Sequence, residues 1–370
     1  MNNIKKYPFS ELYEMSSGIS TTKAQAGHGY PFVSFGTVFN NYFLPEQLPD
    51  LMDTSEKEQD IYSIKKGDIL ITRTSETIDE LAMSCVATKD YPKATYSGFT
   101  KRLRPKTTGI AYHKYLAFYL RSYLFRKAVT NNAFMTLRAS FNEDIFSFLN
   151  LYLPEYQEQV KIGDMLYNME QKITINQKIC SELEAMAKTL YDYWFVQFDF
   201  PDENGKPYCT SGGEMVWNEQ LKRKIPKGWE VGNLYSIADF INGLACQKFR
   251  PKDGEKALPV IKIKEMHDGI TAETEQVSEN IPSKHKIFDG DILFSWSATL
   301  EVMYWYGGSG GLNQHIFKVN PKSYFPKEYV YEQLSSYIVN FVKMAEARKT
   351  TMGHITTDHL EQSKIPLPPE

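Results

Sequence analysis

The amino-acid sequence predicts a mixed α/β (α+β) fold in which two homologous domains are joined by a long helix of the coiled-coil type. Three observations lead to this prediction. The chain is 370 residues long, several short motifs occur twice in the same order, and the segment between the copies has helical periodicity. At about 100–200 residues per domain, the length alone indicates two or three folded units. A hydrophobic content of 42% with 24% charged residues is typical of chains that bury a core.

The internal repeat is the strongest of these signals. The tetrapeptide GDIL at residues 67–70 recurs at residues 290–293, an offset of 223. Three further motif pairs keep the same order at offsets that fall from 222 to 214: Leu12-Tyr13 with Leu234-Tyr235, Pro105-Lys106 with Pro321-Lys322, and Leu153-Pro154 with Leu367-Pro368. Two copies of one fold that differ in loop lengths explain this drift. The repeat therefore predicts two domains of the same architecture.

Each copy has the same predicted order of elements. Strand-like runs at 32–35 and 260–263 come first, and the GDIL strand follows a glycine turn. A third strand runs into the Pro-Lys turn, and a Tyr-rich helix then covers 115–129 or 329–345 before a short extended segment reaches Leu-Pro. The predicted divisions are a first domain at 1–152, a central helix at 153–200, a linker at 201–225 and a second domain at 226–370.

The predicted central helix has a seam of apolar residues. Between Gly163 and Phe198 there is neither glycine nor proline, and residues spaced by three and four form the seam, with one polar member, Asn176: Ile162, Leu166, Met169, Ile173, Asn176, Leu183, Leu190 and Trp194. A single polar residue in such a seam sets the register of a coiled coil. The alternative is an ordinary amphipathic core helix. The length and regularity favour a coiled coil, whose seam requires a partner helix.

Charge and cysteine content restrict the class of protein. The net charge is −3, but residues 1–150 carry 18 Lys and Arg against 15 Asp and Glu, whereas residues 151–200 carry 4 against 8. The acidic helix thus masks a mildly basic first domain, and the whole-chain charge is no argument against a nucleic-acid ligand. Four dispersed cysteines and the lack of a long apolar run predict a cytoplasmic protein without a membrane segment.

The sequence contains no recognisable catalytic motif. It has no GxxxxGK[ST] phosphate loop, no GxGxxG after a strand and no GxSxG nucleophile elbow. The seven histidines are dispersed and no spacing favours a metal site. We therefore expect a protein that binds and does not catalyse, with neither a metal nor a cofactor of its own.

Candidate binding residues in the first copy lie on a basic run and on two polar loops. If residues 101–106 form a strand, Arg102 and Arg104 share one face and Lys101 lies on the other. Arginine neutralises phosphates and binds guanine O6 and N7 with two hydrogen bonds. The loop after the GDIL strand adds Arg73 and Ser75, and the loop after the helix adds Arg138 and Ser140. The alternatives are a solvated edge strand, ordinary turns and helix caps.

The second copy offers a different set of candidates. Ser295 and Ser297 follow its GDIL strand, beside Trp296. The adjacent Asn313, Gln314 and His315 contribute amides that suit adenine edges, and Lys318 lies on the next strand. Turn formation is the alternative role for the short polar residues.

Several motifs resemble the specificity subunit of type I restriction-modification systems. They include the helix start LPEYQEQ at 153–159, the segment WFVQFDFP at 194–201, and three linker motifs, GKPY at 205–208, SGGEMV at 211–216 and IPKGWE at 225–230. The resemblance covers nearly the whole chain. Its most specific parts are the linker motifs and the IPKGW segment, whereas the two domains match only in their landmarks.

The resemblance implies two target-recognition domains, each reading one half of a split double-stranded DNA target, and a helix that sets the spacing. Methyltransferase subunits carrying S-adenosylmethionine would dock on the helix, and a translocating ATPase-nuclease subunit would bring ATP and Mg. In this family a second long helix follows the second domain; here the sequence ends at its expected start. We therefore expect the uncovered seam to pair with a second copy or with methyltransferase helices. Two alternatives remain, a BcgI-like specificity subunit and an inactive, phase-variable remnant.

Overall fold

The computed structural model describes residues 4–77, 80–132, 139–297, 299–347, 355 and 357–369. The chain divides into two compact units, residues 1–179 and 180–370. The boundary falls inside the long helix, so each unit contains part of it. This division differs from the predicted scheme, in which the helix is a separate segment at 153–200.

Unit 1 is a mixed α/β domain. Its helices are α1 Phe9–Leu12, α2 Phe35–Asn40, α3 Glu56–Ile61, α4 His113–Tyr119, α5 Tyr123–Asn132 and α6 Glu143–Phe148. Its strands are β1 Lys5–Pro8, β2 Tyr13–Ser17, β3 Ala26–Val33, β4 Asp50–Met52, β5 Ile69–Thr72, β6 Thr74–Ser75, β7 Ser84–Val86, β8 Thr95–Tyr96, β9 Thr100–Pro105, β10 Ala139–Ser140 and β11 Asn150–Leu153. The main sheet has the order β2-β9-β5-β7, and a smaller sheet has the order β4-β3-β8.

Unit 2 begins within the long helix α7, Tyr156–Tyr191. Its other helices are α8 Leu234–Ile237, α9 Ile263–Asp268, α10 Lys327–Ala347 and α11 Thr357–Glu361. Its strands are β12 Met215–Asn218, β13 Arg223–Pro226, β14 Glu230–Gly232, β15 Ala238–Asn242, β16 Ala257–Ile261, β17 Gln276–Ser278, β18 Lys286–Ile287, β19 Ile292–Ser295, β20 Glu301–Tyr304, β21 Gly310–Leu312, β22 Ile316–Pro321 and β23 Ile365–Leu367. Two four-stranded sheets have the orders β15-β22-β19-β20 and β17-β16-β21-β18.

The two units have matching topologies. The sheet β2-β9-β5-β7 of unit 1 corresponds to β15-β22-β19-β20 of unit 2. In each unit the second sheet contains one parallel pair, β3 with β8 and β16 with β21. In unit 1 the first strand β1 pairs antiparallel with the last strand β11, and in unit 2 β14, the first strand after the β12–β13 hairpin, pairs antiparallel with the last strand β23. The predicted architecture of two repeated mixed α/β domains and a long helix is confirmed.

The GDIL motif forms the same turn and strand in both units. Gly67 and Gly290 have φ angles of 88° and 85°, a left-handed conformation that favours glycine. The following aspartates close the turn, because Asp68 accepts a hydrogen bond from the Lys65 amide and Asp291 from the Phe288 amide, each at 2.8 Å. The strands β5 and β19 that follow are buried along their whole length. They form the centre of each core.

The Tyr-rich helix differs between the units. Unit 2 has the single helix α10, whereas the predicted helix at 115–129 is divided into α4 and α5. At the break, the Arg121 guanidinium leaves the helix and donates to the carbonyls of Val38, Phe39, Asn41 and Ser84. Ser122 then begins α5 by accepting from the Arg126 amide. The break therefore anchors this corner of unit 1 to α2 and β7.

The predicted linker at 201–225 is folded. Strands β12 and β13 form an antiparallel hairpin in which Val216 faces Ile225. Before it, Asp199 accepts hydrogen bonds from the amide and the hydroxyl of Thr210, and Phe200 stacks on Trp229 at 5.6 Å. The segment is therefore a structured part of unit 2 and not an unstructured linker.

Candidate nucleic-acid interface

In unit 1, the exposed residues Ser17, Arg73 and Phe99 and the buried Lys101 lie where β2 and β5 end and β9 begins. The amide of Arg73, just after β5, donates to the carbonyl of Phe99, just before β9, at 2.8 Å. Ser17, the last residue of β2, is the register partner of Lys101 on β9. The side chain of Phe99 is 64% exposed although it is fully apolar. We call Ser17, Arg73, Phe99 and Lys101 the first tip.

Lys101 lies near Arg73 at the first tip, but its side chain is only 8% exposed. Its ammonium group donates to the Ser17 hydroxyl at 2.9 Å. The pKa of Lys101 lies below its usual value, chiefly because the side chain is desolvated and also because Arg73 is close. Glu143 opposes this shift. Arg73, which is exposed, is the cation of this tip that an anionic ligand such as a phosphate can reach.

Unit 2 has an equivalent tip at the ends of β15 and β19 and the start of β22. The amide of Trp296, just after β19, donates to the carbonyl of His315, just before β22, at 3.3 Å. The Trp296 indole also donates to Asn242, the last residue of β15, at 3.2 Å. The rings of Trp296 and His315 lie 5.7 Å apart, and the Gln314 amide lies 3.3 Å from the His315 Nε2. We call Asn242, Trp296, Gln314 and His315 the second tip.

A glycine brings the strands together at each tip. A Cβ atom on Gly18 would lie 2.1 Å from the Ser97 carbonyl oxygen, and one on Gly243 would lie 2.0 Å from that of Asn313. Real Cβ atoms do not approach backbone oxygens so closely, so only glycine permits this contact. The residue after each glycine forms a parallel bridge, Ile19 with Ser97 and Leu244 with Asn313.

Several of the sequence-predicted binding residues stabilise the backbone of the tips. Asn313 is 8% exposed and accepts from the His315 amide, and Ser97 accepts in the same way from the Phe99 amide. Ser295 is fully buried and donates to the Thr299 carbonyl. Two other predicted serines, Ser75 and Ser297, are each 8% exposed. These positions shape the loops and present little surface to a ligand.

The predicted arginine face of β9 is not an exposed face. Arg102 and Arg104 do share one side, since both guanidinium groups donate to the Ser63 carbonyl, at 2.6 and 2.9 Å. Arg102 is only 9% exposed, and Arg104 forms a two-point ion pair with buried Asp68. Because β9 lies in the middle of its sheet, its side chains pack against neighbouring strands. The structure gives both arginines internal partners and removes them from the candidate interface.

Lys318 is the counterpart of Arg102 in unit 2 and is also engaged internally. Lys318 faces Leu293 across the sheet, as Arg102 faces Leu70. Its ammonium forms an ion pair with Asp291 at 2.7 Å and its side chain is 13% exposed. Of the remaining predicted residues, Ser140 is exposed beside Thr74, whereas Arg138 lies outside the described residues.

The structure thus brings together Arg73 and Lys101 in one tip, and Gln314 and His315 in the other. Sequence reasoning omitted Ser17, Phe99 and Asn242 from the binding set and noted Trp296 only as a neighbour. An alignment of the repeat through Gly18 and Gly243 would have placed Ser17 opposite Asn242. An exposed phenylalanine such as Phe99 leaves no signal in sequence alone.

The long helix α7 presents an uncovered apolar face. Of the predicted seam, Met169, Ile173, Leu183 and Leu190 are each 47–59% exposed, and Asn176 is exposed as well. Ile162, Leu166 and Trp194 are half-buried. Further exposed apolar residues lie beside the seam and widen it: Met165, Ile175, Ile179 and Met186. Exposed apolar area of this extent along one helix is typical of an interaction surface.

Each end of α7 is fixed to its own unit. In unit 1 the Gln159 amide donates to the Ile110 and Pro154 carbonyls and accepts from the Tyr112 amide. In unit 2 the Tyr191 hydroxyl donates to Gln333 at 2.9 Å. The uncovered part of the helix lies between these contacts.

Comparison with known proteins assigns the chain to a family. A sequence profile described as the type I restriction modification DNA specificity domain matches residues 2–185 and 226–370, which is most of the chain. The chain belongs to this family. The prediction of a specificity subunit, made from the helix and linker motifs, is confirmed.

Curated proteins similar to this chain are specificity subunits of type I restriction enzymes. The chain is 24% identical to the specificity subunit of the type I restriction enzyme MjaIX from Methanocaldococcus jannaschii, over 69% of this chain and 52% of that protein. It is also 24% identical to the HindI specificity subunit from Haemophilus influenzae, over 92% of this chain and 85% of that protein. The chain thus spans about half the length of the MjaIX subunit.

A solved structure shows the same fold. The S subunit of the type I restriction-modification system from M. genitalium superposes with a TM-score of 0.60 at 13% identity, over 99% of this chain and 84% of that one. Within the described ranges, the specificity protein has no cluster of three or more His, Cys, Asp or Glu side chains arranged to hold a metal ion. None of its described helices is both long and apolar enough to span a membrane.

Proposed function

We propose that this chain reads a bipartite DNA target, with the first tip contacting one half-site and the second tip contacting the other. The observation that carries the proposal is that two tips with the same backbone framework present different side chains. Identical tips would read identical half-sites. The exposed Arg73 suits phosphates and guanine, whereas Gln314 and Asn242 suit adenine edges.

The chain contributes recognition, and partner subunits contribute the chemistry. Methyltransferase subunits dock on the uncovered face of α7 and bring S-adenosylmethionine, and an ATPase-nuclease subunit brings ATP and Mg. The support for docking is the exposed apolar seam centred on Leu183, which is 59% exposed. The helix also sets the spacing between the half-sites. A cytoplasmic location remains a prediction from the sequence.

Methylome sequencing of cells with and without the gene tests this function. We expect a bipartite sequence to be methylated only when the gene is present. If the methylated sequences are the same in both strains, the chain does not direct a methyltransferase. The number of unspecified base pairs between the two halves of the methylated motif gives the spacing between the half-sites directly. Insertion of one heptad into α7 should lengthen this spacing or abolish methylation.

Docking on α7 is tested separately by co-purification. Leu183→Asp places a charge in the apolar face and should abolish capture of the methyltransferase subunit, because burying an unpaired carboxylate is costly. Ser181→Asp is the matched control: Ser181 is exposed on the same helix and lies about 200° away from Leu183 around its axis. Full capture by the Leu183→Asp variant would exclude this face as the docking surface. Loss of self-association in that variant, with methyltransferase capture intact, would assign the face to a second copy instead.

A further inference from the structure

We propose that three structurally equivalent positions in each unit determine which bases that unit reads. In unit 1 they are Ser17, Arg73 and Phe99. In unit 2 they are Asn242, Trp296 and His315. This inference rests on the proposed function, and it adds the residues that make the choice between half-sites.

The equivalence follows from matching backbone hydrogen bonds. The amide of Arg73 donates to the Phe99 carbonyl as the amide of Trp296 donates to that of His315. On the other side, the carbonyl of Arg73 accepts from the Phe141 amide and the carbonyl of Trp296 accepts from the Ile355 amide, at 2.7 and 3.0 Å. The two sets of loops therefore have the same conformation at these points.

The third position is fixed by the glycine that follows it. The Gly18 amide donates to the Thr100 carbonyl at 3.4 Å, and the Gly243 amide donates to the Ile316 carbonyl at 3.0 Å. Ser17 and Asn242 directly precede these glycines at the ends of β2 and β15. Each is exposed, and in unit 2 Asn242 accepts a hydrogen bond from the Trp296 indole.

The flanking residues are occupied by the framework. Thr72 and Ser295, which precede the central positions, are both fully buried. Ser97 and Asn313 are 9% and 8% exposed and each accepts from the amide two residues later. The backbone at the three positions is therefore held by neighbouring residues, which is what a specificity-determining position requires. Trp296 additionally packs against the core of unit 2 beside Phe317, so the folding of a variant at this position has to be measured.

The two sets differ in chemistry at all three positions. Unit 1 has a hydroxyl, a guanidinium and a phenyl group, and unit 2 has an amide, an indole and an imidazole. A guanidinium in the major groove favours guanine through O6 and N7, and an amide favours adenine through N6 and N7. An indole or a phenyl group offers apolar contact, for which the thymine methyl group is the partner in the groove.

Exchange of the three residues tests the proposal. The variant Asn242→Ser/Trp296→Arg/His315→Phe gives unit 2 the residues of unit 1, and Ser17→Asn/Arg73→Trp/Phe99→His makes the reverse exchange. The control is Trp217→Arg, which replaces a 57% exposed tryptophan on the β12–β13 hairpin with the residue used at position 296. The readout is the methylome of cells in which each variant replaces the wild-type gene. Thermal melting of the purified variants checks that they are folded.

We expect the first variant to methylate a target whose second half has become a copy of the first, while the original target loses methylation by at least about tenfold, the scale of one mismatched base pair. The reverse variant should duplicate the other half-site, and the control should keep the wild-type target. An unchanged target in a folded variant would overturn the proposal, as would a folded variant that methylates no sequence. If one of the two exchange variants does not fold, the methylome of the other variant tests the proposal. If the wild-type gene directs no methylation, the proposed function itself fails.

Discussion

Units 1 and 2 share a framework and differ at its tips. Both frameworks depend on features of the backbone, namely a glycine turn before the GDIL strand and a glycine contact at the strand end. The exposed residues of the first tip are Ser17, Arg73 and Phe99, whereas the second tip has exposed Asn242 and His315 beside half-buried Trp296 and Gln314. This comparison indicates that one set of residues determines the fold and another set determines which DNA is bound, so that the second set can be changed while the fold is kept.

An ion pair at the start of each GDIL strand, the end far from the tip, also differs between the units. Asp68 and Asp291 occupy the same turn, but the cation of unit 1 is Arg104 and that of unit 2 is Lys318, the counterpart of Arg102. In both units the aspartate of the glycine turn is paired with a cation, which comes from either of two positions on the same face of the central strand.

The largest expected effect is on this pair. Asp68→Ala removes a carboxylate that is 1% exposed and leaves Arg104 without its partner, so we expect a loss of about 2–4 kcal/mol in the stability of unit 1. Asp291→Ala should cost less, because Asp291 is 20% exposed and makes a single contact to Lys318. Thermal melting of both variants measures the difference. Equal losses would show that burial does not control the strength of the pair.

The next effect is on DNA binding. Arg73→Ala should weaken DNA binding by about 1–3 kcal/mol, because a charged contact is lost. The slope of log affinity against log salt concentration should fall by about 1. Trp296→Ala should weaken binding by a similar amount and leave the salt dependence unchanged. Binding titrations at several salt concentrations, on a duplex carrying the methylated target, give both quantities. If Trp296→Ala also reduced the salt dependence of DNA binding, the claim that only the first tip makes a charged contact would be wrong.

The glycine contacts should respond equally in the two units. Gly18→Ala and Gly243→Ala each place a Cβ atom against a backbone oxygen and should lower stability by about 1–3 kcal/mol. The melting temperatures should fall by similar amounts in the two variants. A large inequality would mean that the frameworks are less alike than their hydrogen bonds indicate.

The smallest effect concerns acid stability. Burial, with a contribution from Lys66 and Lys114, lowers the pKa of His113 to about 4. Because its usual value is near 6.5, the unfolded chain takes up this proton first, and unit 1 loses stability as pH falls from about 6.5 to 4. His113→Gln should lessen that loss, seen as a smaller fall in melting temperature between pH 7 and pH 4.5. Unit 2 has Lys327 at the corresponding helix start and lacks this histidine.

The repeat and the long helix were predictable because their signals are local. Gly67 and Gly290 mark equal turns, and the seam around Leu183 follows helical spacing. The role of Arg102 was not predictable, since alternation along a strand identifies which residues share a face and not whether the strand lies in the middle of a sheet. Strand β9 is central, so its arginines are internal. Phe99 is exposed through loop geometry that only the fold reveals.

Footprinting at base resolution tests the central claim most directly. Missing-base interference on the methylated target, with the wild-type protein and the Arg73→Ala and Trp296→Ala variants, shows which bases each tip contacts. We expect Arg73→Ala to lose contacts in one half-site only and Trp296→Ala to lose contacts in the other half-site only. Loss of contacts in the same half-site for both variants, or in neither, would contradict the account of two tips that read two half-sites.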